Sequence, residues 1–133
     1  MSTGLPTEIE AILPSPSWHL THEEAQKHLT LLAEALVKRD WLAVDQGARW
    51  IYEVLRPHNE AEERELFPIL AEIGADSLYD RLQEDHRLMW DMTLQLLVQI
   101  VDGHAINGEH AILLGQKLVD LIRDHIEAVE LLM

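Results

Sequence analysis

The sequence predicts an all-α protein: an antiparallel, up-down-up-down four-helix bundle with an N-terminal arm. Apolar side chains recur at steps of three and four residues in four separate stretches, the spacing that gives a helix one apolar face. The connections between these stretches are short, and short connections make consecutive helices antiparallel neighbours. With 133 residues, of which 47% are hydrophobic, the chain has the size of one domain. We therefore predict an arm at residues 1–17 and a bundle at residues 18–133.

The first two predicted helices follow the arm directly. Residues 1–17 contain three prolines and no sustained periodicity, which is typical of an arm that packs over the bundle or stays partly loose. The first helix covers residues 18–38, and the second covers 41–73 with Pro57 inside it. Because a proline removes a backbone hydrogen bond and clashes with the preceding turn, we expect a kink immediately before His58.

The third and fourth helices are joined by a polar, glycine-containing segment. The third begins at Asp76 or Ser77 and extends to about Ile100. Residues 102–108 are predicted to form a loop, and the fourth helix then occupies about residues 109–132.

The composition excludes several classes of protein. A formal net charge of −14 opposes binding to nucleic-acid phosphates and to anionic membrane surfaces, so neither is an expected partner. The chain has no cysteine, which excludes disulfides, thiolate catalysis, iron–sulfur clusters and cysteine zinc sites. No apolar run approaches the roughly 18 residues of a membrane span, and the N-terminus lacks the basic and apolar regions of a signal peptide. We therefore expect a cytoplasmic protein.

Four of the eight histidines are predicted to lie in one layer of the bundle. In an antiparallel pair, residues equally far from the connection lie at the same height. His22 and His58 are equally far from the first connection. Glu62 and His86 are equally far from the second, and the midpoint of His86 and His125 falls in the third. A cation in this layer would satisfy polar groups that are otherwise costly to bury, so the pattern predicts a metal site.

Other interpretations of these histidines stay open. A single histidine on a helix is usually solvated or hydrogen-bonded. His28 is an alternative to His22 in the first helix, although it would be level with Tyr52 instead of His58. Haem between facing histidines is a further alternative, which the neighbouring carboxylates disfavour. The Glu-x2-His pairs of ferritin-like di-iron enzymes and the His-Glu-x2-His motif of zinc proteases are both absent from the sequence.

Three motifs surround the level histidines. The second helix carries HNEAEERELFP at 58–68, the third carries EDH at 84–86, and the fourth carries HIEAVELL at 125–132. Together with His22 they resemble the hemerythrin-like family of HHE cation-binding proteins over about residues 18–133. Members of that family are four-helix bundles that hold two iron ions bridged by carboxylates.

The resemblance implies six metal ligands, which are His22, His58, Glu62, His86, His125 and Glu130. The first two histidines would bind one iron and the last two the other, with both glutamates as bridges. Manganese and zinc are alternative metals. Candidates to support the ligands through hydrogen bonds are Glu63, Asp85 and Glu127.

Two positions depart from the pattern of the family. Oxygen-carrying members have two histidines one turn apart on the third helix, and here Leu82 stands a turn before His86. Many relatives place a glutamate four residues after the histidine of the fourth helix, where this chain has Val129. Glu130, at a five-residue spacing, is then the candidate. One iron would lack a histidine, which leaves room for water or another carboxylate.

The resemblance implies a protein that binds dioxygen or a similar diatomic molecule at two irons. Its role would be that of an oxygen store, a sensor or an iron- or stress-response module. One alternative is a di-iron oxidase or peroxidase that uses the coordination position left open by Leu82. Another is an interaction bundle with a structural metal or none. We favour a binding protein over an enzyme.

Overall fold

The computed structural model describes residues 16–131, with side chains from His22 onward, and these residues are mostly helical. The all-α prediction is therefore confirmed. Residues 1–15 of the predicted arm lie outside the described part, while residues 16 and 17 belong to the first helix. In chain order, the elements are α1 (Pro16–Lys38), α2 (Trp41–Trp50), a π-helical turn (Ile51–Leu55), α3 (Arg56–Glu65), α4 (Phe67–Glu72), α5 (Asp76–Gln99), β1 (Ile100–Val101), β2 (His104–Ala105) and α6 (Gly108–Glu130).

The helices pack against one another as a helical bundle. Helix α1 contacts α2 and α6, and α5 contacts α2, α4 and α6. Each long helix buries one face, as the spacing of its apolar residues predicts; in α1 this face consists of Ala25, Leu29, Leu32 and Leu36. The up-down-up-down order stays a prediction. Among residues 16–131, no helix is long and apolar enough to cross a bilayer.

A π-helical turn precedes the proline of the second helical stretch. The backbone N–H of Arg56 donates to the carbonyl of Ile51, five residues earlier. Pro57 has no N–H, and in a regular α-helix its ring would clash with the carbonyl four residues before it. A wider turn relieves that conflict, so a π-helical turn stands where the sequence predicted a kink before His58. The buried polar residues that follow in α3 are His58, Asn59 and Glu62.

The second helical stretch is also divided at Leu66. Helix α3 ends at Glu65, and α4 begins at Phe67 with Pro68 in its first turn. A proline fits the first turn of a helix, where its missing N–H has no intrahelical partner. The helix predicted over 41–73 is therefore interrupted at Leu66, because Pro68 has no N–H to continue the backbone hydrogen bonds of α3.

A short β-hairpin occupies part of the predicted loop between α5 and α6. Ile100 pairs with Ala105, and Val101 pairs with His104. The two turn residues, Asp102 and Gly103, have φ values of 52° and 79°. Positive φ at both central positions gives the turn a twist that matches the strands, and Asp-Gly is a favoured sequence for it. This dipeptide was the sequence signal for a hairpin.

A polar layer separates two apolar clusters of the bundle. Along α3 and the turn before it, Leu55 belongs to the larger cluster and Leu66 to the smaller one, with Glu62 between them. Along α5, Leu82 belongs to the smaller cluster and Met89 to the larger one, with His86 between them. Apolar packing on both sides therefore holds the polar layer, and it fixes the height at which the ligand candidates meet.

Candidate metal centre

Glu62 of α3 is the centre of the polar layer. Its side chain is 0% exposed, and within the described residues its ion pairs all involve histidines. Burial by itself raises the pKa of the carboxyl group. Hydrogen bonds with His125, His22, His58 and His86 together outweigh burial and hold the pKa of Glu62 well below its usual range. Glu62 is therefore an ionised carboxylate in the interior of the protein.

The two oxygens of Glu62 face different pairs of histidines. Oε2 lies 2.9 Å from Nε2 of His58 and 3.4 Å from Nε2 of His22. Oε1 lies 3.1 Å from Nε2 of His86 and 3.0 Å from Nε2 of His125. Each oxygen thus forms a three-donor group with one histidine pair. A carboxylate with this arrangement is able to bridge two cations, one at each oxygen.

The donor atoms on the Oε1 side form a nearly equilateral triangle. The two Nε2 atoms of His86 and His125 are 3.0 Å apart, and each is 3.0 to 3.1 Å from Oε1 of Glu62. A divalent metal binds nitrogen or oxygen at about 2.1 Å, which puts donors at right angles about 3.0 Å apart. The triangle is therefore compact enough for two histidines and one carboxylate to bind one cation, a donor set that both iron and zinc use.

The far nitrogens of the same two histidines contact carboxylates. Nδ1 of His86 lies 3.0 Å from Oε1 of Glu63, and Nδ1 of His125 lies 3.1 Å from Oδ2 of Asp85. Because a carboxylate only accepts hydrogen bonds, Glu63 and Asp85 favour a proton on Nδ1, whereas Glu62 favours a proton on Nε2 of the same rings. In a neutral imidazole with its proton on Nδ1, Nε2 has a lone pair that is available to a metal.

This arrangement of lone pairs fits a bound cation. With both protons on Nδ1, two Nε2 lone pairs and one carboxylate oxygen at mutual distances of 3.0 to 3.1 Å repel one another unless positive charge lies among them. Burial lowers the pKa of His125, but its bonds to Asp85 and Glu62 together leave that pKa raised. The site therefore attracts positive charge, which a proton or a metal ion supplies.

Five of the six predicted ligands meet in this layer, and Glu130 does not reach its centre. Oε1 of Glu130 lies 4.0 Å from Nδ1 of His22, its side chain is 56% exposed, and it belongs to neither three-donor group. His28 lies elsewhere, stacked on Trp50 with ring centroids 4.1 Å apart. The six ligand roles stay a prediction.

The two residues that depart from the family pattern lie together. Leu82 and Val129 are both 0% exposed, and both belong to the smaller apolar cluster. Phe67, in the same cluster, stacks on the ring of His86 with centroids 5.2 Å apart. At the two positions where the resemblance implied a histidine and a glutamate, this chain thus has apolar side chains next to the His86 side of the layer.

Two buried neighbours of the layer were not predicted as part of the site. Phe67 lies in the Leu-Phe-Pro run, and only its stacking on His86 shows that it orients this ring. Asn59 follows His58 and is 2% exposed, and its amide donates to the sulfur of Met89 at 3.3 Å. Both residues belong to the HNEAEERELFP run at 58–68, and this membership was the one signal that the sequence offered.

Comparison with known proteins supports a cation site in this layer. A family model described as the hemerythrin HHE cation binding domain matches residues 13–133. No match was found in the search of curated proteins, and none in the search of solved structures. The matched range covers almost the whole chain and includes every residue of the polar layer.

Proposed function

This chain belongs to the hemerythrin HHE cation-binding family, and we propose that it holds two iron ions and through them binds dioxygen or a similar diatomic molecule. The observation that carries the proposal is the division of Glu62 between two histidine pairs. One iron would lie with His22 and His58 at Oε2, and the other with His86 and His125 at Oε1. The role would be that of an oxygen store, a sensor or an iron- or stress-response module.

The donor set favours iron over softer metals. Imidazole and carboxylate donors suit iron, manganese and zinc, whereas copper(I) prefers sulfur ligands, and the chain contains no cysteine. When bound, ferrous iron supplies the electrons and the open coordination positions that diatomic ligands need. The protein contributes the donor atoms, their orientation and two apolar clusters that lie on either side of the layer.

The position of the layer also supports the antiparallel bundle. Glu62 contacts histidines of three other helices, at the heights that equal distances from the connections predict. We therefore propose the up-down-up-down order as the arrangement that delivers them. We also propose a cytoplasmic location, where a ferrous site meets a reducing environment.

The proposal is tested by loading the metal-free chain with ferrous iron without oxygen and then admitting air. We expect two irons per chain and, after oxidation, the absorption bands of a carboxylate-bridged iron pair. His58→Ala removes one donor next to Glu62 and is expected to lower iron affinity at least about tenfold. His28→Ala is the matched control, because His28 is a helical histidine outside the layer.

Fewer than two equivalents of iron in the wild-type chain, or no such bands after oxidation, would overturn the di-iron proposal. Equal iron affinity of the wild-type, His58→Ala and His28→Ala proteins would instead point to the alternative of an interaction bundle with no metal in this layer.

A di-iron oxidase or peroxidase is the second candidate, and the buried Leu82 favours it. Leu82 supplies no donor at the position where oxygen-carrying relatives have a histidine, so a cation beside His86 keeps a position for a reactant. If this candidate is correct, the iron-loaded protein turns over hydrogen peroxide, and Leu82→His reduces the turnover at least about tenfold by filling that position. Leu82→Met is the control, since it keeps the volume without a nitrogen donor. Absence of both peroxide reduction with an added electron donor and dioxygen consumption in the wild-type protein would exclude this candidate.

A further inference from the structure

Two carboxylates outside the ligand set link three helices behind the metal layer. Glu63 follows Glu62 on α3 and bonds to His86 of α5. Asp85 precedes His86 on α5 and bonds to His125 of α6. Each carboxylate is therefore the sequence neighbour of one candidate ligand and the hydrogen-bond partner of another on a different helix. This arrangement ties the orientation of each histidine to the position of the neighbouring helix.

We propose that Asp85 and Glu63 are positioning residues that hold His125 and His86 in the tautomer with the proton on Nδ1. This inference rests on the proposed metal function of the layer. With the proton on Nδ1, both Nε2 lone pairs point at the place beside Oε1 of Glu62 before a metal arrives. Without Asp85 and Glu63, each imidazole exchanges between two tautomers. In one of these, Nε2 carries the proton and presents an N–H to the metal. Metal binding would then have to select the correct tautomer of each ring.

Asp85 and Glu63 are expected to contribute unequally to the orientation of their histidines. The side chain of Asp85 is 13% exposed, whereas that of Glu63 is 43% exposed. Water screens an exposed charge and competes for its hydrogen bonds, so the contact of Asp85 with His125 is the stronger constraint. The structure thus assigns the larger effect to Asp85 and the smaller one to Glu63.

These contacts matter more because position 82 carries no histidine. The His86 side of the layer offers three donor atoms, with no fourth from Leu82 or Val129, both of which pack in the apolar cluster. Fewer donors make correct orientation of each remaining donor more important for affinity. Asp85 and Glu63 supply that orientation to both histidines of this side.

The experiment measures two quantities in the full chain. The first is the affinity for Zn²⁺, added alone to the metal-free protein and measured by competition with a chelator. The second is the tautomer of each histidine in the metal-free protein, read from the ¹⁵N chemical shifts of the neutral imidazoles. Asp85→Ala is expected to weaken Zn²⁺ binding by about 10- to 100-fold and to mix the tautomers of His125, with a smaller effect of Glu63→Ala on His86.

Asp85→Asn provides a graded variant and Glu84→Ala a matched control. Asparagine keeps an oxygen acceptor for Nδ1 but loses the charge, so its affinity should lie between those of the wild type and Asp85→Ala. Glu84 is the exposed neighbour of Asp85 and pairs with Arg87 on the same helix, so its removal should leave both readouts unchanged.

The outcomes separate this inference from the metal function on which it rests. Wild-type affinity and an unchanged His125 tautomer in Asp85→Ala would overturn the positioning role of Asp85 and would leave the proposed metal site unaffected. Failure of the wild-type chain to bind any metal would overturn the metal function itself. Loss of affinity without a change of tautomer would also refute the inference, because a purely structural role predicts that result.

Discussion

Glu62→Gln is expected to weaken the binding of both proposed cations at once. Both three-donor groups share this side chain, one through Oε1 and the other through Oε2. Glutamine has nearly the same shape, but it is neutral and offers one oxygen in place of two. One group therefore loses its oxygen donor, and both lose the negative charge that offsets the cations. We expect a loss of at least about 100-fold in affinity at each position, or about 2.7 kcal/mol.

The measurement is iron and Zn²⁺ stoichiometry with the affinity of each step, and the control is Glu65→Gln. Glu65 lies one turn after Glu62 on the same helix and is exposed, so its substitution removes a charge without touching the layer. Helical content by circular dichroism should match the wild type in both variants. Retention of one full-affinity cation in Glu62→Gln would show that this carboxylate does not bridge two sites.

Phe67→Ala is expected to cost the largest amount of folding stability, about 3 to 5 kcal/mol. Phe67 is 1% exposed and belongs to the smaller apolar cluster. Its ring stacks on His86 and meets Tyr79 edge to face, with centroids 5.2 Å and 5.7 Å away. Alanine at this position would leave a cavity directly beside a candidate ligand, and the ring of His86 would lose the surface that restrains it.

Urea unfolding of the metal-free protein measures this cost, with Phe67→Leu as the matched variant. Leucine refills much of the cavity, so its cost should be less than half that of alanine. Comparison of Zn²⁺ affinity in the two variants then reports on the orientation of His86. A loss of stability below about 1 kcal/mol in Phe67→Ala would contradict close packing of this ring.

Much of the helical organisation follows from the spacing of apolar residues. The predicted bounds of the first, third and fourth helices agree with α1, α5 and α6 to within about two residues. The bounds of the second helix were harder to predict from the sequence, because its two prolines have different effects. Pro57 follows a π-helical turn, and Pro68 lies in the first turn of α4. A proline in the sequence shows that regular α-helix is interrupted near that position. The surrounding packing decides whether the interruption is a wider turn or the start of a new helix.

The composition of the polar layer was also accessible from the sequence. Equal distances from the connections placed four histidines and Glu62 at one height, because every residue adds the same rise to a helix. The same counting could not place Glu130. Its side chain lies at the end of α6, and its direction depends on the rotation of that helix and not on height.

The sequence by itself determined which residues share a level: it specified the helices, their polar layer and the absence of donors at Leu82 and Val129. Only the tertiary structure decided the direction in which each of these side chains points. Helix rotation and side-chain rotamers arise from packing among all the helices, so spacing along one helix does not contain them. That packing divides Glu62 between two histidine pairs, places Asp85 and Glu63 behind His125 and His86, and leaves Glu130 at the exposed edge.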